Sequence, residues 1–157
     1  LICNFDMEKA KEIIERIRYI TIATASKECE PWNTPVYAIH DEKYNFYWVS
    51  WSGTQHSKNI VENPSIFIVI YDSTVPEGAG EGVYIKAKAY ELIDRTEIEQ
   101  AAVRLYAGKN KTPRPVEEFL GEHPRRIYKA VPEKIWRNLD VDKKGKIVDT
   151  RQEVALI

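Results

Sequence analysis

A small antiparallel β-barrel with helices at its periphery is the fold this sequence predicts. Short runs of β-branched and aromatic residues recur along it, turn-forming clusters separate them at hairpin spacing, and helical periodicity is confined to a few segments. Strands of this kind bury a common core by closing on themselves. The 157 residues suit a single domain, 1–157, with ends at 1–5 and 141–157 expected to be flexible.

Met7, Ala10, Ile14 and Ile17 share one face at helical spacing, with Asp6 as candidate N-cap, so the first segment is an amphipathic helix. Strands are expected at 19–25, 34–40, 44–50 and 65–71, where β-branched and aromatic residues concentrate. "KECEPW" and "HDEK" supply the turns of consecutive hairpins. Ile66-Phe67-Ile68-Val69-Ile70 is continuously apolar, which predicts cover on both faces. A strand at 83–93 alternates Val83, Ile85, Ala87 and Ala89 with Tyr84, Lys86, Lys88 and Tyr90, after a flexible "PEGAGEG" loop.

Thr96 with Glu99 forms a candidate capping box for a helix through Ile98, Ala101, Ala102 and Leu105 that stops at Gly108. The basic loop "KNKTPRP" leads to "VEEFL", one or two further helical turns. The last strand is expected at 126–137 with Pro132 at an edge or bulge, and the charged tail after Asp140 is expected to fray.

Composition removes several classes of function. Lys and Arg number 23 against 24 Asp and Glu, a balance that argues against bulk electrostatic binding of a nucleic-acid backbone. No apolar run approaches the roughly 20 residues that span a bilayer, and the first segment meets charge too early for a signal peptide. The expected location is cytoplasmic. Cys3 and Cys29 lack CxxC spacing and are expected to be free thiols, while His40, His56 and His123 lack metal-ligand spacing. Ser57 beside His56 is no hydrolase dyad, because adjacent helical residues diverge and no GxSxG elbow is present. Lys109, Lys111, Arg114, Arg125 and Arg126 form either a solvated basic face or a steering group for an acidic substrate. Trp32, Trp48, Trp51, Trp136 and 9 Tyr exceed the needs of so small a core, so some are expected to line a pocket or interface.

The segment with most chemistry runs from Thr34 to Asp72. A strand ends at Val49 and Ser50, a polar loop passes Gly53 and Thr54, and a short helix over 55–62 ends at Asn63-Pro64. Backbone amides, the hydroxyls of Ser50, Thr54 and Ser57, and the side chains of His56 and Lys58 could together surround a phosphate. The alternative for the same residues is a capped surface helix with Lys58 and Asn59 in water.

The order "PVYAIHDEKYNFYWVS", "GTQHSKNIVENP" and an apolar strand, followed by "GEGVYIKAKAYELID" and "RIYKAVPEKIWRN", resembles the pyridoxamine 5'-phosphate oxidase-related flavoproteins over Ile13 to Leu139. The resemblance implies a six-stranded split barrel, the FMN-binding split barrel, usually dimeric, with FMN in the groove between protomers. It implies that Ser50, Thr54, Gln55, His56 and Lys58 lie at the FMN phosphate, with Val49 also among the cofactor-binding residues. It further implies that Asn33, Thr34, Pro35 and Val36 border the isoalloxazine, with Trp136 near it. Two departures matter. The adjacent Arg and Lys of the tightest phosphate grips are replaced by Gln55 and His56, and the Arg and His that grip a vitamin B6 substrate are missing after Trp136. The implied activity is therefore FMN-dependent electron or hydride transfer between a reduced donor and a small acceptor, other than vitamin B6 oxidation. Alternatives are a non-catalytic flavin-binding or redox-sensing module, and a deazaflavin- or haem-binding member of the same fold. A homodimer also has a physical motive, since a barrel this small fills its own interior and a flavin outside it needs a second surface to exclude water.

Overall fold

The computed structural model describes residues 2–143 and 146–155, without the side chains of residues 2–5 and 140–149. Seven strands form one antiparallel sheet in the order β3-β2-β1-β4-β5-β6-β7: β1 Tyr19–Ala25, β2 Pro31–His40, β3 Phe46–Trp51, β4 Ser65–Tyr71, β5 Gly82–Glu91, β6 Arg125–Lys143 and β7 Lys146–Glu153. An additional pairing of β3 with β6 closes the first six into a barrel and leaves β7 as an extra strand. Helices α1 Ile2–Arg16, α2 Gln55–Glu62 and α3 Arg95–Ala107, and a 3-10 turn at Val116–Phe119, pack around it.

The strands follow the alternation in the sequence. Ile20, Ile22, Ile66, Ile68, Ile70, Val83, Ile85, Ala87, Trp48 and Tyr128 point inward into one buried cluster, joined by Ala10, Ile13 and Ile14 of α1 and Ile60 of α2. Trp48 and Tyr128 stack there with ring centres 5.7 Å apart. A second cluster lies outside the barrel, where Ile98, Ala101, Ala102 and Leu105 of α3 cover Ile39, Tyr47 and Ile127. Pro132 sits at a bulge: Lys86 pairs with Lys134 and Ala87 with Pro132, so Glu133 is left over.

Four expectations are corrected. Asp6 is not an N-cap, because α1 begins at Ile2 and Asp6 lies inside it, buried against Arg137. The cap of α3 is Asp94, whose carboxylate accepts from the Glu97 N–H, so Thr96 and Glu99 are already helical. Strand β4 is covered on its inner face alone: Phe67 and Val69 are only half-buried and Tyr71 is exposed, since the helices cover a different arc of the barrel. The tail also returns as β7, with Trp136 opposite Glu153 and Leu139 opposite Thr150. Beyond its pairing with β3, β6 would otherwise present an open edge. The parts of the two chain ends at residues 1, 144–145 and 156–157 lie outside the described residues. Cys29 is an exposed free thiol at a positive φ of 67°, and the Cys3 side chain lies outside the described ones.

Helix α1 is pinned by a buried ion pair. Arg137 Nη1 donates to Asp6 Oδ1 at 2.5 Å and Nη2 to Glu81 at 2.9 Å, while Asp6 Oδ2 and Arg137 Nε are buried without a partner. Removing one partner strands the other charge. Arg137→Met should therefore cost about 3–5 kcal/mol, whereas Asp6→Leu with Arg137→Met should recover most of the loss. Urea midpoints of the two variants check this.

Candidate functional site

Helix α2 sits at one end of the barrel on a hydrogen-bonded network. Ser50 Oγ at the end of β3 lies 2.7 Å from His56 Nε2, Thr54 Oγ1 lies 3.2 Å from the same nitrogen, and Thr54 and Ser57 hydroxyls are 2.9 Å apart. Gln55 Nε2 donates to Asn59 Oδ1 at 2.8 Å, and Asn59 Nδ2 donates to Thr24 Oγ1 at 3.0 Å. The Thr24 hydroxyl in turn reaches the Trp32 carbonyl at 3.3 Å. The chain Gln55, Asn59, Thr24, Trp32 ties α2 across β1 to β2.

This network divides the predicted phosphate residues. His56 is 5% exposed, and burial pushes its imidazole below the ordinary value of 6.5, so it stands neutral among hydroxyls. Ser50, Thr54 and Ser57 share its hydrogen bonds. Gln55 and Lys58 are exposed on the first turn. The Thr54 side chain makes no capping bond, and the α2 amides of Gln55, His56 and Ser57 precede the first residue, Lys58, whose N–H reaches back to Thr54 O at 3.0 Å. His56 and Ser57 are buried, so Gln55 and Lys58 form the donor set facing solvent.

Beside α2 runs a strip of barrel surface whose Phe67 edge lies under Trp136 and the Arg151 guanidinium. Ala23 is opposite Asn33 and Thr21 opposite Pro35, and on the other side Ala23 is opposite Phe67 and Thr21 opposite Val69. Directly opposed residues share a face, so Thr21 and Ala23 form a small-residue floor between Asn33 and Pro35 on β2 and Phe67 and Val69 on β4. Thr34 and Val36 point to the other side of β2, toward Ile22 and Ile20. Val49 is not at this strip, because it packs against the α3 cluster beside Ile127. Trp136 is on the strip's outer face, stacked on Phe67 at 6.2 Å.

The basic group expected as one face is split by ion pairs. Glu118 takes both Arg114, at 2.9 Å, and Arg125, and Arg126 pairs with Glu91 at 2.7 Å. The three histidines lie apart: His40 stacks on Tyr44, His123 on Trp51, and His56 is in the network. Among the described residues no group of three His, Cys, Asp or Glu could hold a metal, and no helix is long and apolar enough to cross a membrane. Sequence reasoning missed Thr24 and Asn59, whose contact spans 35 positions, and Thr21 and Ala23, whose small size matters only beside their strand partners.

The sequence profile described as pyridoxamine 5'-phosphate oxidase matches residues 7–138. No curated protein sequence matches the chain. Among solved structures, the haem storage protein HutZ of Vibrio cholerae is similar at a TM-score of 0.67 and 15% identity, over 82% of this chain and 91% of that one. A Listeria innocua protein provisionally described as a pyridoxamine 5'-phosphate oxidase is similar at 0.64 and 17% identity, over 82% and 94%. An F420 reductase is similar at 0.59 and 17% identity, over 80% and 94%. At these identities the likeness speaks for the fold.

The buried neutral His56 generates a pH dependence. An unfolded imidazole takes up a proton near 6.5, whereas the folded one does so only at lower pH. Stability should be full above that value and fall as pH drops below it. His56→Asn should flatten the decline, as read from urea midpoints at pH 7.5 and pH 5.

Proposed function

The chain belongs to the pyridoxamine 5'-phosphate oxidase family, and we propose that it is an FMN-dependent oxidoreductase passing electrons or hydride between a reduced donor and a small acceptor. The family generally binds flavins. The observation that carries the reading is the juxtaposition of two features at one end of the barrel. The uncapped first turn of α2 presents Gln55 and Lys58, and the Thr21 and Ala23 floor lies next to it across the Asn59 to Thr24 contact.

FMN fits these residues in both its parts. A phosphate gains from amide donors, helix polarity and one ammonium, and Lys58 is the sole full cation in the sequence between Lys43 and Lys86. A flat ring system needs a floor without large side chains, which Thr21 and Ala23 supply between Asn33 and Phe67. The bound flavin would supply the redox chemistry. The chain's own residues do the rest. Lys58 and Gln55 anchor the phosphate, and Asn33 and Pro35 orient the ring edge. Ser50, Thr54 and His56 hold α2 rigid beneath the anchor, and Trp136 closes the ring from a second copy of the chain. A homodimer thus completes the two sites by symmetry, and its exposed strip at Phe67, Val69 and Tyr71 would be covered.

The visible spectrum of the purified protein tests the cofactor, with flavin bands expected and a haem Soret band overturning FMN. Reduction by NADH or NADPH under anaerobic conditions, followed by turnover with an acceptor, separates an enzyme from a flavin store. Light scattering should report twice the 18.2 kDa chain. Lys58→Ala removes a charge-assisted contact of about 1.5–3 kcal/mol and should weaken FMN about ten- to hundredfold. Riboflavin, which lacks the phosphate, should bind that variant as it binds the unaltered protein. Equal weakening of both ligands, or of neither, places the phosphate elsewhere.

A further inference from the structure

We infer that an open stretch of sheet edge beside β6, at Val131 to Lys134, takes the carboxyl end of an extended peptide from another protein, which adds there as a short strand.

The strand registers define the opening. β5 pairs with β6 from Tyr128 to Arg137 and so holds one edge of that strand throughout. β3 and β7 therefore share the other edge, because β3 pairs with Tyr128, Lys129 and Ala130, and β7 with Trp136 and Arg137, at positions β5 also uses. Along that edge β3 begins opposite Ala130 and β7 ends opposite Trp136. One more backbone bond continues from β7, where the Val154 N–H donates to the Ile135 carbonyl at 2.9 Å. Val131 to Lys134 thus have β5 on one side and, among the described residues, no strand on the other. Four residues measure about 13 Å along a strand.

An open edge alone is common on sheets, but here it coincides with a cavity of about 460 Å³. Tyr44 and Asn45 ahead of β3 bound it at one end, and Glu153, Val154 and Ala155 at the other. Ile135 and Val154 at its wall are buried in the barrel core, Tyr44 packs half-buried against that core, and Val131 is exposed. β3 and β7 enter this lane from its two ends in the same sense, both antiparallel to β6. An added strand would meet the β6 backbone at the ordinary spacing of about 4.8 Å. A hydrocarbon would fill the apolar wall and leave the β6 amides and carbonyls to water, whereas a peptide serves both.

Charge selects which end of the peptide enters. Lys134 pairs with Glu153 and Lys86 with Glu133, each at 3.6 Å, so those rim charges answer one another. Lys43 also lines the cavity and forms no ion pair among the described residues. The Tyr44 hydroxyl does not compete for an anion, since the carboxylates of Glu15 and Glu8 add to burial in raising its pKa. A strand running as β7 and β3 do, from Glu153 toward Phe46, brings its carboxyl end to the side of Lys43. The opening lies at the start of β3 and α2 follows its end, about 17 Å of strand away, so the inference stands apart from the flavin reading.

The probe is acetylated threonyl-valyl-threonyl-valine with a free carboxyl end, titrated into the whole chain while the backbone amide signals of Val131, Glu133 and Lys134 are followed by NMR. Its carboxamide, a form N-methylated at both valines, and octanoate are the comparisons. The free acid should shift those amides, leave those of α2 in place, and bind about tenfold tighter than the carboxamide and the N-methylated form. Lys43→Met should cost the free acid about tenfold, cost the carboxamide nothing, and leave the FMN titration unchanged. Absence of binding, equal binding of the N-methylated form, or binding that survives Lys43→Met overturns the proposal. Octanoate matching the free acid overturns it in favour of a site for apolar anions. Binding that appears only in a chain ended at Ala155 overturns it too, by assigning the opening to the chain's own last residues.

Discussion

The pairing of β6 on both of its edges makes this sheet a barrel. Tyr128, Lys129 and Ala130 pair with Trp48, Tyr47 and Phe46 of β3 and, at the same positions, with Glu91, Tyr90 and Ala89 of β5. Closure decides which alternate residues become core, and it leaves an outer surface that must be covered or used. Helix α3 covers the arc over β2, β3 and the first half of β6. The outer face of β1, β4, β5 and the second half of β6 lies outside the α3 cluster, and the candidate flavin strip lies there. Its half-buried Phe67, Val69 and Trp136 follow from that choice of arc.

The polar network beneath α2 shows how the same residue types can serve two ends. A short helix on a loop is marginal alone, and this eight-residue one is fixed by side chains that reach β3, β1 and β2 through Ser50, Thr24 and the Trp32 carbonyl. Hydrogen bonding satisfies the buried His56 without charge. Once Ser50, Thr54 and His56 are spent on holding the helix, the anionic ligand is left to groups whose hydrogen-bond capacity still faces water.

Strand positions were legible because alternation is a local property. Ile20, Ile22, Ile66 and Ile68 announce their face without any knowledge of their partners. Helix α2 was legible as well, since Asn63-Pro64 fixes its end. Competition between nearby caps was not: Asp94 and Thr96 are both good N-caps, and only the Asp94 contact with the Glu97 N–H decides. Strand β7 could not be seen because its charged composition resembles a frayed tail, and what recruits it is the open edge of β6 far from it in kind. Within the site, the residue types of 50–58 were legible, but their division into buried and available groups was not. That division depends on Thr24 and Asn59, which no local pattern connects.

The position of Lys109 illustrates the same limit from the other side. In sequence it is one of five cations in a basic stretch, indistinguishable from Arg114 or Arg125. The fold gives those arginines Glu118 and gives Lys109 two tyrosine rings instead. A cation–π contact holds an ammonium in place without neutralising it, so Lys109 keeps its charge and loses part of its water.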